Sequence, residues 1–191
     1  ADPGVELACD LLGAIFNAFD RGEKGSASSD ELACGMMLLS AGSKSDKIRH
    51  GFTIFDTHSD NSLSRRQMWK FLRSFLSVLL AVTSNGRAWS NEHIQAVVDD
   101  TAVLEAQRIF EYISAGGSEG ARLSFDQFGL WYNCGGYSHL FWLELVDLKK
   151  WSALALDSMN AAEGFRAEKS DGESLSDDDF HAMAAVERQR E

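Results

Sequence analysis

The chain has 191 residues, a formal charge of −11, 45% hydrophobic and 25% charged residues, which fits a soluble globular protein of one large domain or two small lobes. The acidic balance argues against nucleic acid, whose phosphates reward Lys and Arg, and against an anionic membrane surface; it suits basic partners and cations. No run of about 18 apolar residues is present, so no transmembrane helix or direct membrane insertion is expected, and the scattered Cys9, Cys34 and Cys134 read as reduced thiols of a cytoplasmic protein.

The sole proline is Pro3, so nothing after it breaks a helix by removing an N–H. The opening Ala1-Asp2-Pro3-Gly4 lacks Met and reads as a cut site in something longer. Leu12, Ile15, Phe16 and Phe19 fall at i, i+3, i+4, i+7 and predict a first amphipathic helix. A polar stretch, DRGEKGSASSDE (Asp20 to Glu31), leads into a second helix, ELACGMMLL. Ile48, Phe52 and Phe55 predict a third helix, which runs into DTHSDNSLSRRQ (Asp56 to Gln67) and then a fourth, with Leu72, Phe75, Leu76 and Leu79 on one face.

The polar break from Thr83 to Asn91 holds an Asn85-Gly86 turn signal, and Ser90 or Asn91 can cap the next helix. We place the boundary here: 5–83 as an N-terminal helix–loop–helix pair, 84–99 as linker and connecting helix, and 100–185 as a C-terminal pair with an extra apolar helix. Ala106, Ile109, Phe110 and Ile113 continue the periodicity into GGSEGARLSFDQ (Gly116 to Gln127), followed by Phe128 and Tyr132. After Cys134-Gly135-Gly136, Leu140 to Leu156 reads as a buried helix. An acidic tail carries LSDDDF, Leu175 to Phe180.

Helix, polar loop, helix therefore recurs, and an internal repeat of this kind outweighs any single motif. The stretch FTIFDTHSDNSLSRRQMWKFL, the loop DRGEKGSASSDE and the exit segment RLSFDQFGLWY together resemble the EF-hand superfamily. The layout is similar to the two-lobed calcineurin B and neuronal calcium sensor arrangement, over roughly residues 5 to 185. The resemblance implies an all-α fold of paired helix–loop–helix units, with short β-bridges between paired loops. It also implies calcium-regulated binding of a helical target without catalysis.

An EF-hand loop offers oxygen ligands at positions 1, 3, 5, 7, 9 and 12, the last a bidentate Glu, with Gly at 6 for the sharp turn. In the first loop Asp20, Ser26 and Glu31 hold positions 1, 7 and 12 and Gly25 holds 6, but Gly22 at 3 lacks a side chain and Lys24 at 5 brings an ammonium. Position 8, which pairs with a partner loop, is only Ala27. In the second loop Asp56, His58, Asp60, Ser62, Ser64 and Gln67 hold positions 1, 3, 5, 7, 9 and 12, with Leu63 at 8. Asn61 replaces the glycine and tolerates positive φ better than most residues. His58 is a nitrogen in an oxygen cage, read as solvent-facing ahead of a pH-sensitive or transition-metal ligand. Gln67 is a neutral amide where a bidentate carboxylate belongs. The third loop, with Gly116 and Gly120 at positions 1 and 5, is assigned no metal, and a cryptic fourth spans Glu168 to Asp179.

The expected function is therefore an EF-hand-like regulatory or scaffolding module that binds a helical segment, with weak or lost calcium binding. The alternative is a working calcium sensor using the second loop, alone or with the first, to switch partner binding. Met36, Leu39, Met68, Trp69, Leu72 and Phe75 are candidates to line an apolar groove. Its occupant is an amphipathic helix of a partner or of the same chain, with Trp142 and Trp151 on the obvious internal candidate. No nucleophile elbow, phosphate loop or HExxH appears, and His50, His58, His93, His139 and His181 show no ligand spacing, so no catalysis is expected.

Overall fold

Short polar side chains start most of the helices. Asp2 caps α1 (Pro3–Phe19), its carboxylate accepting from the Gly4 N–H at 2.9 Å with Pro3 in the first turn, where a missing N–H costs nothing. Ser28 precedes α2 (Ser29–Met36), which tightens into a 3₁₀ turn, Met37–Leu39. Ser43 caps α3 (Lys44–Phe55). Ser64 and Gln67 form a reciprocal capping box at the start of α4 (Arg65–Val82). Ser90 accepts from the His93 N–H at 3.2 Å to start α5 (Asn91–Ala115), and Ser124 with Gln127 repeats the box on α6 (Phe125–Asn133). Two 3₁₀ turns follow, Gly136–Ser138 and Phe141–Val146. These elements come from a computed structural model that describes residues 2–83, 89–115 and 122–151.

The protein is all-α, with one short bridge among the described residues: β1 (Ser62–Leu63) pairs antiparallel with β2 (Leu123–Ser124), setting Leu63 opposite Leu123. This ladder joins the second and third loops, where the reading above pairs the first with the second. The reason is legible at the bridging position. Leu63 and Leu123 are both fully buried and offer each other an apolar cross-strand pair, whereas Ala27 offers a methyl group.

α4 is the core of the compact unit formed by residues 1–150. Every residue from Phe71 to Leu79 is buried, because α1, α2 and α5 pack around the helix and the Phe141–Val146 turn lies against it. Phe71 sits at the centre, edge-on to Phe52 at 6.1 Å, Phe75 at 5.4 Å and Phe128 at 6.0 Å. α2 crosses α4 at Gly35, where a Cβ would come within 2.6 Å of the Ser74 carbonyl oxygen. Within the stretch read as linker and connecting helix, 84–99, the helix α5 starts at Asn91 and runs along α4 within the same unit.

The single helix expected from Leu140 is 3₁₀ over Phe141–Val146. Leu140, Leu143 and Val146 are all buried, a spacing of three that suits three residues per turn, while Leu145 and Leu148 are only half-buried. Residues 151–191 form a second unit. The Asn85-Gly86 turn, the first six positions of the third loop, residues 152–156 of the expected Leu140–Leu156 helix and the cryptic fourth loop lie outside the described residues.

Candidate functional site

The second loop follows directly from the end of α3. Asp56 closes that helix, and its carboxylate accepts the backbone N–H groups of Asp60 at 3.2 Å and Asn61 at 2.8 Å. The chain turns through left-handed conformations at Ser59 (φ 53°) and Asn61 (φ 56°), so Asn61 takes the glycine's role as its chemistry allows. Asp60 accepts from the Ser62 N–H at 3.0 Å and hydroxyl at 2.6 Å. That hydroxyl is the main cause that holds the Asp60 carboxyl below its usual range; burial, next in size, opposes it, and the Arg122 charge and hydrogen bond add to the lowering.

Arg122, immediately before β2, reaches across the ladder. Its Nε donates to the Ser62 Oγ at 2.7 Å and lies 3.1 Å from Asp60 Oδ2. Its Nη2 donates to the Ser62 carbonyl at 2.7 Å and to Asp60 Oδ1 at 3.3 Å. The guanidinium thus holds the oxygens of positions 5 and 7. At position 12, the Gln67 Oε1 accepts from the Ser64 N–H at 2.8 Å, and its Nε2 donates to the Phe55 carbonyl at 2.7 Å and the Thr57 hydroxyl at 3.1 Å. The amide ties the entering helix to the exit helix by hydrogen bonds, a link that a bidentate Glu makes through the ion. Ser64 serves as helix cap, and its hydroxyl accepts from the Gln67 N–H. His58 is exposed, with Nδ1 3.2 Å from the Thr57 hydroxyl.

In the first loop the Asp20 carboxylate accepts N–H bonds from Lys24, Gly25 and Ser26 at 2.9, 2.9 and 3.3 Å. Ser26 contributes its amide and is exposed. Glu31, the position-12 carboxylate, is buried and bonded to the buried Arg73 of α4, with Lys70 Nζ at 3.8 Å. Arg73 also lies 4.3 Å over the Trp69 ring and 3.5 Å from Asp99, which Arg21 grips with both guanidinium nitrogens at 2.5 and 2.6 Å. Burial, with the Arg21 charge acting the same way and Asp99 opposing, lowers Arg73 to about 10.

A hard divalent cation needs several converging oxygens with net negative charge. In the first loop the clamp carboxylate faces Arg73; in the second, Arg122 covers two of the ligand positions and Gln67 turns its oxygen to Ser64. The donor sets as arranged do not fit such an ion. Among the described residues no group of three His, Cys, Asp or Glu side chains is disposed to hold a metal.

The apolar candidates divide. Met68, Leu72 and Phe75 are fully buried core; Met36, Leu39 and Trp69 are half-buried. Trp142 is buried in the Phe141–Val146 turn, which lies against α3 and α4. Trp151 is half-buried and falls in the second unit. The turn is fastened by polar groups. The Lys47 Nζ donates to the Leu38 carbonyl at 2.9 Å and the Val146 carbonyl at 3.0 Å. The Glu144 carboxylate accepts from Lys44, Lys150 and the Tyr132 hydroxyl. Burial pushes the Glu144 carboxyl up, but the Lys150, Lys44 and Tyr132 bonds outweigh it and bring it down to about 2.

Arg73, Asp99, Arg122, Lys47 and Glu144 are absent from the sequence-derived set. Arg73 carried a signal, a charge inside the apolar run of α4. Arg122 carried one only to a reader who already had the second and third loops paired, since it then lies beside Ser62.

Helices flanking polar loops, joined by a leucine ladder between the second and third loops, form a helix–loop–helix arrangement that resembles that of EF-hands. Among curated proteins the chain is similar to the calcium-binding protein NCSA of Dictyostelium discoideum, 27% identical over 85 residues, which is 44% of this chain and 44% of that one. The match thus spans less than half of its relative's length, and it supports an EF-hand-like family and nothing finer. No family model and no solved structure matches. Among the described residues no helix is long and apolar enough to cross a membrane.

Proposed function

We propose that this chain is a non-catalytic, EF-hand-like regulatory or scaffolding module that holds a helical protein segment, with weak or lost calcium binding. The observation that carries the reading is the seat of the Phe141–Val146 turn. Leu140, Trp142, Leu143 and Val146 bury their side chains, and the turn lies against α3 and α4 with Lys47 and Glu144 as polar fasteners. An apolar groove taking an amphipathic segment is the recurring recognition mode of paired helix–loop–helix units; here the segment belongs to the chain itself. Weak calcium binding is supported by the capture of Glu31 by Arg73 and by the loss of a carboxylate at Gln67.

The test is complementation in trans. A chain carrying Leu143→Asp exposes apolar surface to an environment-sensitive dye, and a synthetic peptide of residues 136–151 binds it saturably and suppresses the dye signal. Absence of peptide binding by a folded variant counts against the reading.

The similarity to a calcium-binding protein favours a second reading, a calcium sensor working through the second loop. Calorimetry separates the two: saturable binding below about 10⁻⁵ M, the sensor range, that disappears in Asp56→Ala supports the sensor.

A further inference from the structure

The second loop is ordered around a charge that the chain itself supplies. Asp60 and the Ser62 carbonyl occupy two of the ligand positions of a twelve-residue loop, and both are taken by one side chain, Arg122. Its four approaches, at 2.7, 2.7, 3.1 and 3.3 Å, all fall on Asp60 and Ser62. A guanidinium presents a planar fork of donors that matches a carboxylate and a neighbouring carbonyl together. Arg122 immediately precedes the opposite strand of the ladder, one residue before Leu123, which faces Leu63. The same contacts therefore order the loop and fasten the third loop to it. Each Asp56 carboxylate oxygen accepts one backbone amide, from Asp60 and from Asn61.

We propose that the Arg122 guanidinium is the resident cation of the second loop, tethered on the third: it fills the place of a divalent ion at Asp60 and Ser62, so that a divalent ion and Arg122 exclude each other. The proposal rests on the reading that calcium binding is weak or lost, and adds that the arginine, beyond the missing carboxylate at Gln67, keeps an ion out.

Three variants separate the two causes: Gln67→Glu restores the clamp, Arg122→Gln removes the tethered charge without shortening the side chain greatly, and a third chain carries both. Calcium affinity is measured by calorimetry and terbium affinity by luminescence on the full chain, with helical circular dichroism recorded for each. The doubly substituted chain binds calcium at least about tenfold more tightly than Gln67→Glu alone, because a positive charge within a few ångströms of the ion has been removed. Equal affinities for these two chains overturn the proposal and leave the carboxylate-loss reading standing. Sensor-range affinity in the unsubstituted chain sinks the reading of weak calcium binding, and if Arg122→Gln then leaves that affinity unchanged the proposal falls as well. Should Arg122→Gln reduce helicity, Asp60→Asn in the unsubstituted chain supplies the check. It removes the same ion pair and lowers the thermal midpoint in low salt, an effect lost in high salt. No salt-sensitive change overturns the proposal.

Discussion

Removing Glu31 or Arg73 separately strands a buried charge. Both side chains are only 6% exposed, and they bond to each other from α2 and α4. Breaking a buried pair by deleting one partner costs about 3–5 kcal/mol. Asp99 at 3.5 Å from Arg73 and Lys70 at 3.8 Å from Glu31 soften the loss, which places each of Glu31→Leu and Arg73→Met near the lower end, about 3 kcal/mol. In a chain of this size that is a fall in Tm of about 6–12 °C. The double variant Glu31→Leu/Arg73→Met replaces the pair with apolar side chains and recovers most of the loss, since such replacements are often neutral. Thermal and urea unfolding followed by circular dichroism, run as a double-mutant cycle, reads the coupling. Single losses below about 1 kcal/mol, the range of exposed ion pairs, would refute the buried pair, as would a double variant that loses the sum of the two.

The other expectations concern packing, pH and thiol access. Gly35→Ala sets a methyl group against the Ser74 carbonyl, which is backbone and cannot rotate away, and destabilises by about 1–3 kcal/mol in urea unfolding. Leu63→Ala or Leu123→Ala, at fully buried ladder positions, each costs about 2–5 kcal/mol. Glu144 has its folded pKa depressed to about 2, so its contribution is present above the unfolded value of about 4.3 and is lost as pH falls toward the folded one. Glu144→Gln therefore flattens the acid side of the Tm–pH profile. Cys9 and Cys134 are exposed, whereas Cys34 is buried and burial pushes its thiol well above the ordinary range. Iodoacetamide accordingly labels the first two in the native protein and Cys34 only on unfolding, as peptide mapping would show.

How much was legible in advance follows from the range of the interactions involved. The amphipathic stripes placed the helices because burial periodicity is local to each segment. The turn at Asn61 was readable for the same reason, since tolerance of positive φ belongs to the residue itself, whereas Asp56, read as a ligand, accepts the amides that follow it in the chain. The Ser64–Gln67 box spans one helical turn. The polar partners of the loops lay beyond such reading. Arg73 stands 42 residues from Glu31, and Arg122 stands 60 from Ser62.

Periodicity by itself determined a mainly helical chain, and the order of residues in its polar stretches determined loops that resemble EF-hands and are short of carboxylates, because helix formation and ligand type depend on residues within a few turns of one another. Only the tertiary structure decided which loops pair and which charges fill them. The ladder between Leu63 and Leu123, the turn of Glu31 toward Arg73 and the reach of Arg122 to Asp60 depend on how α4 is wrapped and on where distant side chains come to rest. Their energies come from desolvation and close geometry, which no linear spacing encodes.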